Sequence, residues 1–163
     1  MRNDRPKRRR FDAVAWSVGA MTAAALAVDA AHAESKQFRL DHARYVEECG
    51  SCHVAYPPPL LSAESWRAVM NGLDRHFGTD ASIDSAARAD IAAYLAANAG
   101  AQRKFGATAT RITETRWFAR EHDEVPAHVW QRADVKSAAN CGACHTQADR
   151  GDYSERSLRV PRR

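Results

Sequence analysis

Cys49-Gly50-Ser51-Cys52-His53 and Cys141-Gly142-Ala143-Cys144-His145 are two copies of one pattern, CxxCH, and they hold all four cysteines of the 163-residue chain. The spacing has a physical reason. Two thiols about one helical turn apart can add to the two vinyl groups on one edge of a porphyrin, while the adjacent imidazole reaches the iron. One short segment thus grips the cofactor three times. Two motifs predict two covalently bound haem c groups, attached through Cys49, Cys52, Cys141 and Cys144, with His53 and His145 as the first ligand of each iron. Other uses of paired cysteines fit less well. A structural zinc site separates its pairs by a short finger, whereas 88 residues lie between Cys52 and Cys141. A thioredoxin-like dithiol sits beside a βαβ alternation, and no strand-rich pattern is visible. The disulfide framework that four cysteines suggest in an exported chain gives way to the same two motifs.

Export is read from residues 1–33. A basic head from Arg2 to Arg10, an apolar run from Ala13 to Val28 and Ala31-His32-Ala33 as an A-x-A site make up a secretory signal peptide, cleaved after Ala33. The competing reading is an uncleaved membrane anchor. The run is 16 residues long and closed by Asp29, short of the roughly 20 that span a bilayer. Arg8-Arg9-Arg10-Phe11 also fits a twin-arginine pattern loosely. The formal charge of +4 sits mostly in this leader, and the rest of the chain balances 18 basic against 17 acidic side chains. That balance removes the case for a nucleic-acid partner. The expected location is the periplasm, as a soluble protein with no stable membrane insertion after signal removal.

The sixth ligand of each iron decides between electron transfer and ligand binding or catalysis. Met1 and Met21 leave with the leader, so Met70 is the one methionine that remains. It lies in the stripe Trp66-Val69-Met70-Leu73, whose i, i+3, i+4, i+7 spacing marks a core face. Four histidines stand outside the motifs in the mature chain: His42, His76, His122 and His128. His76 follows the stripe in Gly72-Leu73-Asp74-Arg75-His76-Phe77-Gly78, where a helix end lets an imidazole project, and it is read as the distal ligand of the first haem. His122 closes a short aromatic helix containing Trp117 and Phe118 and is read as the distal ligand of the second, with His128 in reserve. His42 stands seven residues before Cys49, with its ring expected toward solvent or the proximal side.

Periodicity points to helices throughout: Asp41–Glu48 delivering the first motif, a helix from a Ser62 cap to about Arg75, and one from an Asp84 cap to Asn98 stopped by Gly100. Tyr56-Pro57-Pro58-Pro59 reads as an extended wall, residues 100–112 as a linker, and Glu114–His122 as a short helix. The tail after Thr146 reads as coil against the second haem, with its arginines solvated. The fold class is therefore mainly α. Two lobes, residues 34–104 and 105–163, carry one haem each, and the C-terminal lobe has little regular secondary structure. So short a chain lacks core, and each porphyrin supplies apolar surface that the side chains do not.

The sequence resembles the small bacterial dihaem cytochromes c. The resemblance runs through Glu47-Glu48-Cys49-Gly50-Ser51-Cys52-His53, Tyr56-Pro57-Pro58, Gly72–Gly78 with its His-Phe-Gly, Arg111-Ile112-Thr113-Glu114-Thr115, and Asn140–Thr146, continuing to Ala148 and Gly151. It implies bis-histidine, low-potential haems lying close together, with His76 and His122 where distal histidines fall. It also implies an electron carrier rather than an enzyme, passing electrons to an oxygen-binding monohaem cytochrome c, with a membrane b-type cytochrome as donor. The alternative is a small haem enzyme, a peroxidase or reductase, or a ligand sensor with one open iron site.

Overall fold

The computed structural model describes residues 37–106 and 108–161, all within one compact unit. The leader expected over residues 1–33 lies outside them. The helices are α1 (Ala43–Gly50), α2 (Ala63–Asn71), α3 (Ser85–Ala97), α4 (Gln102–Phe105), α5 (Arg116–Glu121) and α6 (Ala127–Trp130), joined by short 3₁₀ turns. Among the described residues there is no strand, only isolated bridges.

Local chemistry sets the helix starts. The Ser62 hydroxyl accepts from the Ser65 amide, and Glu64 sits in the positive first turn of α2. Asp84 accepts from both the Ala86 and Ala87 amides at 2.9 Å to open α3. His42 is not part of α1. It caps that helix, its Nδ1 accepting from the Tyr45 amide while its ring packs tilted against Tyr94 and its Nε2 lies 3.4 Å from Asp90.

The core lies where α1, α2 and α3 meet. Tyr45, Leu61, Trp66, Met70, Ile91 and Leu95 are buried together there, so Met70 is the core side chain its stripe predicts. Burying each large side chain contributes about 1.5–3 kcal/mol before entropy is counted. The C-terminal half has much less of this. After α4 the buried apolar residues are Phe118, Val135, Ala148 and Tyr153, and that stretch of chain is held mainly by turns. The tail is ordered: His145 bridges Leu158, the Arg159 amide donates to the Cys144 carbonyl at 2.7 Å, and the Phe38 amide donates to the Gly151 carbonyl at 2.8 Å.

Four local expectations are corrected. Pro58–Leu60 forms a buried 3₁₀ turn rather than an extended wall, because the Trp66 indole donates to the Pro58 carbonyl at 2.7 Å and draws the chain in. The helix after Ser62 ends at Asn71, and Leu73–Arg75 continues as a 3₁₀ turn once Gly72 interrupts it. Residues 100–112 are more than a linker, since α4 buries Phe105. Asn98 closes α3, and Gly100 serves a different purpose. A Cβ there would meet the Pro59 carbonyl at 2.0 Å and the Phe105 ring at 2.5 Å, so only glycine allows this approach.

Candidate functional site

The end of α1 presents Cys49 half-buried, and the turn that follows exposes Cys52 and His53. The His53 ring stacks on Tyr56 at 4.6 Å, and its Nδ1 lies 2.8 Å from the Val54 carbonyl. That bond directs the other nitrogen, Nε2, away from the backbone. His76, at the end of the Leu73–Arg75 turn, faces His53 with ring centres 6.3 Å apart and planes 23° from parallel. Burial, then the neighbouring His53 and Arg111, holds the His76 pKa below its ordinary value, favouring the neutral imidazole that can ligate a metal.

The second motif forms a 3₁₀ turn at Cys141–Ala143. Its His145 lies 6.2 Å from His122, centre to centre, with the planes at 84°. His122 ends α5, which Thr115 opens by accepting from the Phe118 amide at 3.1 Å. The His122 ring stacks on Phe118 at 4.0 Å, and its Nδ1 lies 3.0 Å from the Phe118 carbonyl one turn back. The plane and tautomer of His122 are thereby fixed, and again Nε2 is left outward. His128 sits exposed on α6 and is not among the residues lining the cavity that holds His122 and His145.

That cavity has a volume of about 740 Å³, within the range of roughly 300–1,000 Å³ typical of ligand and cofactor sites. Trp117, Phe118 and Trp130 line it from α5 and α6, Phe38 and Tyr153 from the two ends of the described chain, and Cys141, Cys144, His122 and His145 all border it. The buried Tyr153 hydroxyl has no hydrogen-bond partner among the described residues. A large apolar slot bordered by a thiol pair, two imidazoles and an unused phenol donor suits an amphipathic porphyrin. The ring spacings agree. A metal about 2.0–2.1 Å from an imidazole nitrogen stands about 3.2 Å from the ring centre, so two imidazoles on opposite sides of one metal lie about 6.4 Å apart.

The surroundings of the thiols do not favour a dithiol or shared zinc role. Burial pushes Cys49 and Cys141 up to about 11, so both are protonated at neutral pH, whereas a dithiol catalyst needs a depressed value. Among the described residues no group of three or more His, Cys, Asp or Glu converges as a metal site, so the two pairs do not form one four-thiolate set.

Two contacts join the motifs to each other. The Tyr56 hydroxyl donates to the Ala139 carbonyl at 2.7 Å, and that carbonyl also accepts the Cys141 amide at 3.0 Å. Gly142 lies against Val54, its Cβ position 3.8 Å from the valine methyl. Sequence reasoning did not find Tyr56 as a site residue, since its partner is 83 positions away. Tyr153 was missed too. The lock between Phe118 and His122 has a local signal, an aromatic four residues before the histidine.

The family model described as Dihaem cytochrome c matches residues 45–153. Among solved structures, a diheme cytochrome c from Rhodobacter sphaeroides is 44% identical with a TM-score of 0.65, over 71% of this chain and 99% of that one. The diheme cytochrome type c of Shewanella baltica OS155 is 42% identical with a TM-score of 0.64, over 73% of this chain and 92% of that one. No curated protein sequence matches.

Proposed function

The chain belongs to the dihaem cytochrome c family and carries two covalently bound haem c groups in an electron-transfer role, and from that premise we propose a periplasmic carrier whose two irons are each held between two histidines. Cys49 and Cys52 bind the first haem, with His53 and His76 as its axial pair. Cys141 and Cys144 bind the second, with His145 and His122. The observation that carries this reading is the pair of ring spacings, 6.3 Å and 6.2 Å, at the two CxxCH histidines.

When bound, each haem iron supplies one-electron chemistry by cycling between ferric and ferrous states. The protein's part is to hold ligands and exclude competitors. His53 and His122 are oriented through their Nδ1 bonds to the Val54 and Phe118 carbonyls, and such outer bonds keep a ligand basic and correctly turned. Met70 is 3% exposed inside the core and stays out of ligation. Histidine in place of methionine lowers the potential, which suits a carrier working at the low-potential end. Closed coordination at both irons separates a carrier from a peroxidase, a reductase or a sensor.

The location follows from the leader read in residues 1–33. No helix among the described residues is long and apolar enough to cross a membrane. The proposed donor is a membrane b-type cytochrome and the proposed acceptor an oxygen-binding monohaem cytochrome c. Both rest on the family resemblance, and no nucleic acid is involved. The test is the visible and electron paramagnetic resonance spectrum of the haem-loaded protein, with and without carbon monoxide. Two low-spin signals with no carbon monoxide complex are expected, and His76→Ala and His122→Ala should each turn one haem high-spin. A carbon monoxide complex on half the haem of the unaltered protein would replace the carrier with the enzyme or sensor. If His128→Ala rather than His122→Ala opened the second iron, that assignment would move to His128.

A further inference from the structure

The turn that carries His76 is built from an unfavourable residue. Phe77 holds a φ of +50° and Gly78 a φ of +99°, and the turn closes with the Thr79 amide donating to the His76 carbonyl at 3.0 Å. Two successive positive φ angles make a turn that Asn-Gly adopts readily, whereas a bulky aromatic at its first position is an outlier. Such strain persists only where the surroundings over-determine it, and it concentrates at functional sites.

The ring of Phe77 shows what holds it there. Its centre lies 4.7 Å from that of the His76 imidazole, with the planes at 59°. The Arg111 guanidinium carbon stands 4.0 Å over its centroid, well inside the reach of a cation–π contact. Arg111 in turn pairs with Glu114 at 3.5 Å. The phenyl ring is wedged between an imidazole and a guanidinium, yet it takes no share in the core, and 46% of its surface is exposed.

Resting on the reading of His76 as distal ligand, we propose that Phe77 is a positioning residue. Its ring, held by Arg111, fixes the plane and approach of the His76 imidazole and so keeps the first iron closed to outside ligands. A side chain serving only the turn would be Asn or Gly. A ring serving only the core would not be half exposed. Arg111 belongs to the segment that leads into the Thr115 cap of α5, so the same contact ties the first distal histidine to the element carrying His122.

The experiment uses the haem-loaded protein and the variants Phe77→Asn, Phe77→Gly, Phe77→Tyr, Arg111→Gln and His76→Ala. Asn and Gly suit the turn, so their thermal midpoints should not fall. Each should nevertheless form a carbon monoxide complex at the reduced first haem, at a rate at least about tenfold above any background in the unaltered protein, which forms none, since the aromatic contact on His76 and the cation–π contact that backs it are lost. The ferric resonance of the first haem should broaden while that of the second stays as it was. Arg111→Gln should shift both readouts in the same direction by less, and Phe77→Tyr should restore them. Unchanged carbon monoxide capture in Phe77→Asn and Phe77→Gly would overturn the proposal, as would a loss of stability that disturbs both haem signals alike. His76→Ala separates the two levels: if it opens the first iron while Phe77→Asn does not, only the positioning role fails. If it leaves the first iron closed, the ligand assignment fails first.

Discussion

Replacing Tyr56 by Phe removes one atom that ties the two haem-binding segments together. The ring's stack on His53 at 4.6 Å survives, while the hydroxyl's bond to the Ala139 carbonyl at 2.7 Å is lost. The carbonyl keeps the Cys141 amide at 3.0 Å, so no buried acceptor is orphaned. The cost is then the net worth of one hydrogen bond, about 1 kcal/mol, or a fall of about 3–5 °C in the thermal midpoint for a domain of this size. The loss should also depend on pH. Burial pushes the Tyr56 phenol up to about 12 from 10.0, so folding favours the neutral donor. The folded-state value is raised, so its contribution is complete below pH 10 and is lost as pH climbs toward 12. The measurement is thermal unfolding of the two haem-loaded proteins side by side from pH 7 to 12. Their difference should hold steady to about pH 10 and then shrink. A midpoint untouched at pH 7, or a difference that persists unaltered at pH 12, would refute the argument.

Three further outcomes are expected. The ring planes of His53 and His76 stand 23° apart and those of His145 and His122 84° apart, and on the proposed ligation these are the axial pairs. Near-parallel imidazoles split the iron's two π-type d orbitals and crossed ones leave them nearly degenerate, so electron paramagnetic resonance should show one ordinary rhombic signal and one far more anisotropic; two identical rhombic signals would count against these geometries. Gly100→Ala forces a Cβ to 2.0 Å from the Pro59 carbonyl and should destabilise the protein by about 1–3 kcal/mol or more in chemical denaturation, while a neutral result would mean that α4 can withdraw. A haem-free form with all four motif cysteines changed to alanine should lack a cooperative thermal transition, and a sharp calorimetric peak would show that the side chains suffice.

The parts of the molecule that were legible beforehand are those whose cause is local. Ser62 and Asp84 cap their helices through bonds to amides two or three residues on, and the stripe through Met70 buries the face it marks. His76 and His122 could be singled out because few other ligands exist in the chain, and the structure brings each within about 6 Å of a motif histidine. What could not be read depends on distant partners. The prolines curl into a 3₁₀ turn because an indole eight residues on reaches a carbonyl. Gly100 is glycine because of Pro59 and Phe105, not because a helix must stop. The hydroxyl of Tyr56 is explained by Ala139, and nothing in its own neighbourhood signals that bond.

The unequal distribution of core bears on why attachment is covalent. The three N-terminal helices bury a shared cluster of seven residues, whereas the second motif sits in a half built of 3₁₀ turns and helices of four and six residues. Helices that short are not stable in water without tertiary packing. Around His145 the side chains of Phe38, Trp117, Phe118, Trp130 and Tyr153 wall one cavity, with Phe38 meeting Tyr153 and Phe118 meeting Trp130 along its sides. A porphyrin in the slot would join α5, α6 and the tail through one shared apolar surface. Two thioether links at one five-residue segment keep the porphyrin on the chain even when it is unfolded, so its docking against α5, α6 and the tail is intramolecular and free of the entropy cost of association. On this view the second haem is structural as well as redox-active, and loss of Cys141 or Cys144 should loosen α5 and the tail before it reaches α2 and α3.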